Sequence, residues 1–178
     1  REYGTRCLIA RRLVERGVRF VQLFLGGQPW DNHGNIQTAL PAVCKRVDQP
    51  AAGLVTDLKQ RGLLDSTIVH WGGEIGRLPV TQTLESGAAG RDHNGQGFSI
   101  WLAGGGIKGG MTYGNTDEFG HRAVENVVTP NDYQATLMSL FGLDHTQVIY
   151  HHNGQPQILT ANRPARIVTE ILKHPPTV

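Results

Sequence analysis

The sequence predicts an α/β fold, a mostly parallel sheet with helices on both faces, forming a single domain over residues 1–178. Three observations predict it. Stretches of helical periodicity alternate with short β-branched or aromatic runs across brief links, the rhythm of strand and covering helix. The runs themselves, residues 18–25 (VRFVQLFL), 67–71 (TIVHW) and 98–103 (FSIWLA), are nearly continuous in apolar character, as strands buried on both faces are. Each run opens into a polar or glycine-rich loop, and an open α/β sheet gathers its ligands beyond the carboxyl ends of its strands.

Taken in order, residues 3–16 place Leu8, Ile9, Leu13 and Val14 at helical spacing, and Gly17 suits the left-handed end of that helix. Residues 18–25 are the first strand, broken by Gly26-Gly27. Residues 39–61 carry the longest helical pattern: Leu40, Val43, Val47, Ala51, Leu54, Val55 and Leu58. Pro41 suits a first turn, whereas Pro50 predicts a kink or a restart. Gly62 closes this helix and Asp65-Ser66 turns into the second strand. Gly104-Gly105-Gly106 follows the third strand as a sharp backbone turn, not a phosphate loop, since no Ser or Thr follows Lys108. Residues 111–126 read as irregular. Thr129-Pro130 starts a helix, with Thr129 as N-cap and proline at the first position, and Gly142 ends it. Asn153-Gly154 centres a small hairpin over 149–159, with His151 and His152 as exposed flanks. Residues 165–172 are a last short helix.

Composition bounds the function. With 17 Lys and Arg against 15 Asp and Glu, the net charge of +2 argues against a nucleic-acid or anionic-membrane partner. No apolar run is long enough to span a membrane. Two cysteines, Cys7 and Cys44, in helical patterns beside apolar residues, read as buried thiols, not a disulfide framework. The chain opens on Arg1 in what reads as the inside of a helix, so it is expected to be the carboxyl-terminal portion of a longer protein.

The candidate site is collected from the loops. After the first strand comes Trp30-Asp31-Asn32-His33-Gly34-Asn35. Residues two apart in an extended segment project to one side, so Asp31 and His33 can address one ion; as a turn, Asp31 and Asn35 bond their own backbone instead. Glu74 follows the second strand, and Arg91, Asp92, His93 and Asn94 precede the third. Three carboxylates and two imidazoles at one sheet edge suit a divalent zinc, manganese or iron ion better than calcium. Against this, Glu74 can simply pair with Arg77, Asp92 can cap a turn and His93 can satisfy a backbone carbonyl. Arg77, Arg91 and Asn94 are the candidate anion-binding groups, by charge-assisted hydrogen bonds.

The ordered series W-D-N-H-G-N, I-V-H-W-G-G-E-I-G-R-L-P, G-R-D-H-N-G-Q-G-F-S-I-W-L-A-G-G-G-I-K-G-G, T-D-E-F-G and D-Y-Q-A-T-L-M-S-L-F-G-L-D-H resembles the carboxyl-terminal part of the sulfatase-like family known as domain of unknown function 1501, over residues 3–172. That family is placed in the alkaline phosphatase superfamily. The resemblance implies an alkaline phosphatase-like fold. It implies that Asp31 and His33 hold a first metal with His93, and that Glu74 stands where relatives carry an Asp-His pair for a second, with Asp92 beside His93. It implies a nucleophile outside this chain; Ser66, Thr67 and Ser86 lie in no context that would activate them. It also implies export to the periplasm. The expected function is a metal-dependent hydrolase acting on sulfate or phosphate esters of small molecules or polysaccharides. The other expectation is a non-catalytic binding or assembly module that keeps the fold.

Overall fold

Helix α1 spans Glu2–Glu15 and helix α2 spans Ile36–Gln60 in the computed structural model, which describes residues 2–83, 87–160 and 163–176. Ser86 therefore lies outside the described residues. The two helices pack against each other. Cys7 and Ala10 of α1 and Val43, Val47 and Leu58 of α2 are buried, and each large apolar side chain so buried contributes about 2 kcal/mol. Arg11 is buried with them. Its Nε donates to Asp57 Oδ2 at 2.8 Å and its guanidinium also bonds Glu15, while Arg61 bonds the same two acids. A buried guanidinium without such partners is strongly destabilising, so this network dictates how α1 lies on α2. The hydrogen bond from Arg61, ahead of that from Arg11, holds the Asp57 carboxyl below its ordinary range against the opposing effect of burial.

Helix α2 continues through both Pro41 and Pro50, so the restart expected at Pro50 does not occur. Each proline removes one backbone bond, but Val43, Val47 and Leu58, buried on either side of Pro50, hold the helix together. The helix also begins earlier than the apolar pattern, at Ile36, behind an Asn35 in the left-handed region (φ 54°) that asparagine tolerates.

The strands are short and pair antiparallel. Strand β1 (Val69–Trp71) pairs with β6 (Trp101–Ala103), β2 (Gly76–Arg77) with β5 (His93–Asn94), and β3 (Gln82–Thr83) with β4 (Ala89–Gly90). Strand β7 (Asn115–Thr116) pairs with β8 (Ala123–Glu125) across an irregular register, in the stretch expected to be irregular. Strands β9 (Ile149–His152) and β10 (Gln155–Ile158) form the expected hairpin around Asn153-Gly154.

The expected parallel, alkaline phosphatase-like sheet with helices on both faces is therefore corrected: no parallel pair occurs among the described residues. Parallel neighbours need a crossover, normally a helix. The described residues between β1 and β6 hold only β2 to β5, so the chain returns antiparallel, with Val69 opposite Ala103 and Trp71 opposite Trp101. Residues 18–25, expected as a buried strand, are in no strand, and Phe20 and Phe24 are 73% and 68% exposed. Apolar continuity makes a strand only when a neighbouring edge accepts its ladder bonds. Among the described residues the β1–β6 sheet has two strands and extends no further. The whole chain exposes 12287 Å², against roughly 8,500 Å² for a compact monomer of its mass.

Helix α3 (Pro130–Leu140) begins as its sequence predicts. Thr129 Oγ1 accepts from the Asp132 N–H at 3.1 Å, and Asp132 Oδ2 accepts from the Thr129 N–H at 2.9 Å. Asp132 Oδ1 also accepts from the Arg166 N–H at 2.8 Å, and Thr136 Oγ1 from the Val168 N–H at 2.9 Å. Backbone donors at 166 and 168 are thus committed to α3. This is why the expected helix over 165–172 is reduced to a 3-10 turn at Thr169–Ile171. That strap buries Val168 and Leu172 and bridges Ile107 to Leu172. The triple glycine makes its turn as expected. Gly104 has φ +75°, and a Cβ there would lie 2.3 Å from the carbonyl oxygens of Leu64 and Thr67.

Burial raises the Asp132 pKa, but the backbone donors of Arg166 and Thr129 and the Thr129 hydroxyl outweigh it, and the net shift is downward. A carboxylate whose folded pKa is depressed stabilises fully above its unfolded value, near 4, and loses that contribution as pH falls through the folded value. Thr129→Ala is expected to cost about 1–2 kcal/mol in urea unfolding at neutral pH. The stability gap between the wild type and Asp132→Asn is expected to close as pH is lowered below about 4.

Candidate metal centre

Because β6 returns along β1, residues 72–100 leave and re-enter at one end of that small sheet. They form an arm. Strands β2 and β5 make its base, with Arg77 opposite His93; the Leu78 N–H donates to the Asp92 carbonyl at 2.8 Å; β3 and β4 continue it, with Gln82 opposite Gly90. The arm lies against the loop 29–35. The Arg91 N–H donates to the Asn32 carbonyl at 2.9 Å, and buried Asn32 is held by its own Nδ2 on the Pro29 carbonyl at 3.1 Å. At Gly90 the two backbones touch: a Cβ there would fall 2.1 Å from the His33 carbonyl carbon and 2.2 Å from its oxygen.

This clamp brings Asp31, His33 and His93 together. Nε2 of His33 and Nε2 of His93 each lie 3.0 Å from the same atom, Asp31 Oδ1. The rings meet edge-on, centroids 4.9 Å apart. One ligand atom from each residue lies within 4.8 Å of the other two, a group that could hold a metal ion. Donors on bonds of 2.0–2.1 Å around a tetrahedral ion stand about 3.3 Å apart, close to the 3.0 Å from each imidazole to the carboxylate oxygen, while the group as a whole spans up to 4.8 Å and would have to close in around an ion. The side chains are a third to a half exposed and open to a ligand.

The protonation pattern points the same way. Gln82 Oε1 lies 2.8 Å from His33 Nδ1. An amide oxygen accepts, so in the neutral ring the proton sits on Nδ1 and the Nε2 lone pair faces the Asp31 carboxylate. Two acceptors 3.0 Å apart repel unless a second proton or a metal ion stands between them. A ligating histidine oriented through its other nitrogen is the usual construction of a metal site. Asp31 also accepts from the Arg77 guanidinium; that bond first, then the one from His93, holds its carboxyl down to about 2.

The other residues named from the sequence lie elsewhere. Asp92 Oδ1 accepts from the His93 N–H at 2.7 Å, the turn-capping alternative, and stands 3.8 Å from His33 Nδ1. Glu74 is exposed and outside the converging group. The Arg91 guanidinium bonds the carbonyls of Leu78 and Pro79. Asn94 is buried, with Nδ2 on the His121 carbonyl at 2.7 Å and Oδ1 accepting from the Gln96 N–H at 2.9 Å, so it braces the arm. Ser66 Oγ donates to the Leu63 carbonyl. Sequence reading missed Gln82, Asn32 and Gly90. Gln82 and Asn32 carried no signal, but the Gly90-Arg91-Asp92-His93 run did place a glycine next to two candidates.

A family model described as a protein of unknown function (DUF1501) matches residues 1–172. No curated protein and no solved structure matches the chain.

Gly90→Ala is expected to push the His33 backbone away and lower zinc or manganese affinity by roughly tenfold or more, while far-ultraviolet circular dichroism stays that of the wild type. Gln82→Leu, which only frees the His33 ring, is expected to lower affinity by about tenfold in equilibrium dialysis.

Proposed function

Since the chain belongs to the DUF1501 family, whose function is unknown, its chemistry has to come from the site, and we propose that it is a metal-dependent hydrolase domain acting on sulfate or phosphate esters. The observation that carries this reading is the convergence of His33 Nε2 and His93 Nε2 on Asp31 Oδ1. One carboxylate oxygen and two imidazole nitrogens suit zinc, manganese or iron. A divalent ion held there supplies Lewis acidity toward an ester oxygen and generates a nucleophile at neutral pH. Asp31, His33 and His93 hold the ion, Gln82 keeps His33 in the ligating tautomer, and the Arg77 guanidinium is the cation within reach of an anionic ester. The ordered motifs supply a second support. They resemble a family described as sulfatase-like, a likeness that concerns the residues and not the strand topology.

A second reading keeps the metal without turnover, as a binding or assembly module. It is favoured by one observation: among the described residues, the hydrogen bonds to the triad include none from a serine or threonine hydroxyl.

Metal content by mass spectrometry and hydrolysis of p-nitrophenyl sulfate and phosphate, measured on the same samples, separate the two. The hydrolase reading expects about one equivalent of metal per chain, metal-dependent release of p-nitrophenol, and loss of both in Asp31→Ala and in His93→Ala. Bound metal with no turnover of either ester selects the binding module. A wild type that takes up no metal from replete buffer ends both.

A further inference from the structure

We infer that Arg77 and the metal ion exchange places on Asp31, so that filling the site frees a guanidinium to take the anionic group of the ligand. This rests on the metal reading above and adds a coupling between metal and anion that the ligand triad alone does not contain.

The arrangement of Arg77 carries it. Asp31 Oδ1 is shared by three partners: the Arg77 guanidinium and the Nε2 atoms of His33 and His93. Both imidazoles face that same oxygen, so it is the one an ion bound by them meets first, and the ion brings a positive charge next to the guanidinium. Both effects drive the Arg77 NH2 group off Asp31. The rest of the side chain does not have to move far. Its NH1 group donates to the Arg91 carbonyl at 3.2 Å, an anchor on the arm that metal binding leaves in place. Arg77 also sits opposite His93 in the β2–β5 register, so the freed NH2 stays beside the site. Its side chain is 27% exposed, enough to meet a ligand from solvent. A guanidinium so held offers its remaining donors to a phosphate or sulfate oxygen. Without metal, the same group neutralises Asp31 and competes with cations for it. The other arginine named for this role, Arg91, is committed to the carbonyls of Leu78 and Pro79.

Such an exchange has a thermodynamic signature. Metal raises the affinity for the anion, and the anion raises the affinity for metal by the same factor. The experiment is calorimetric titration of zinc, and of manganese, into the full chain with and without inorganic phosphate, for the wild type, Arg77→Gln and Arg77→Lys. In Arg77→Gln, where the ion has no guanidinium to displace, metal affinity without phosphate is expected to rise about fivefold or more, and the enhancement by phosphate to fall at least about fivefold, to what the ion alone supplies. In Arg77→Lys, which keeps the charge and loses the two-pronged grip, the enhancement is expected to fall at least about fivefold with metal binding retained. A wild type that binds metal with an affinity phosphate does not change overturns the exchange and leaves the metal site standing. So does an Arg77→Gln protein that binds metal no more tightly than the wild type, with an Arg77→Lys protein that keeps the full enhancement. A wild type that binds no metal overturns the metal reading itself, and the exchange with it.

Discussion

The antiparallel return of β6 along β1 is the constraint on which the site depends. Trp101 lies opposite Trp71 and Ala103 opposite Val69, so whatever lies between them must start and finish at the same end. A stretch so confined pairs with itself. The β2–β5 and β3–β4 ladders are the result, and they convert residues far apart in the chain into cross-strand neighbours, the unit by which sheets bring side chains together. Arg77 and His93 become one such pair. The stacked indoles of Trp71 and Trp101, with Trp30 edge-on to Trp71, tie the base of this arm to the loop that carries Asp31.

What positions the site is mostly backbone. The arm is fastened to the loop by the Arg91 N–H on the Asn32 carbonyl and by the contact of Gly90 with the His33 backbone. Two main chains at that separation leave no room for a side chain, which is the physical meaning of glycine there. Second partners then orient the ligands: Gln82 on His33, and the Asp92 carboxylate on the N–H of His93. Asp92 was a candidate ligand in the sequence and is a cap in the structure. The same chemical group serves either role, and the distance decides.

The two ends of the chain are held by different physics. The α1–α2 pair depends on a buried guanidinium, Arg11, matched to Asp57 and Glu15. The α3 end depends on a carboxylate and a hydroxyl, Asp132 and Thr136, that reach across to the backbone at 166 and 168. Between them the apolar core is small. The segment 18–25 shows its phenylalanines to solvent, and the total surface is well above that of a compact monomer of this mass.

Local signals were legible in the sequence. Helix α1, the Thr129–Asp132 capping box, the turn at Asn153-Gly154 and the triple-glycine bend are each decided by residues within a few positions of one another, and each formed as read. The ligand types were legible too, since Asp31 and His33 are two apart and His93 stood in a polar run between apolar ones; the sequence alone determined that an oxygen and two nitrogens were on offer. Strand direction was not legible, because it follows from the path of the connection and not from the strand's own residues. The partner that orients His33, Gln82, was hidden: nothing in its own neighbourhood sets it apart, and only the folding of the arm onto the loop brought it and Gly90 to His33 and Arg91 to Asn32. Tertiary structure thus brought Asp31, His33 and His93 together out of five candidate ligands, because the few ångströms between them exist only once distant stretches of chain are pinned together.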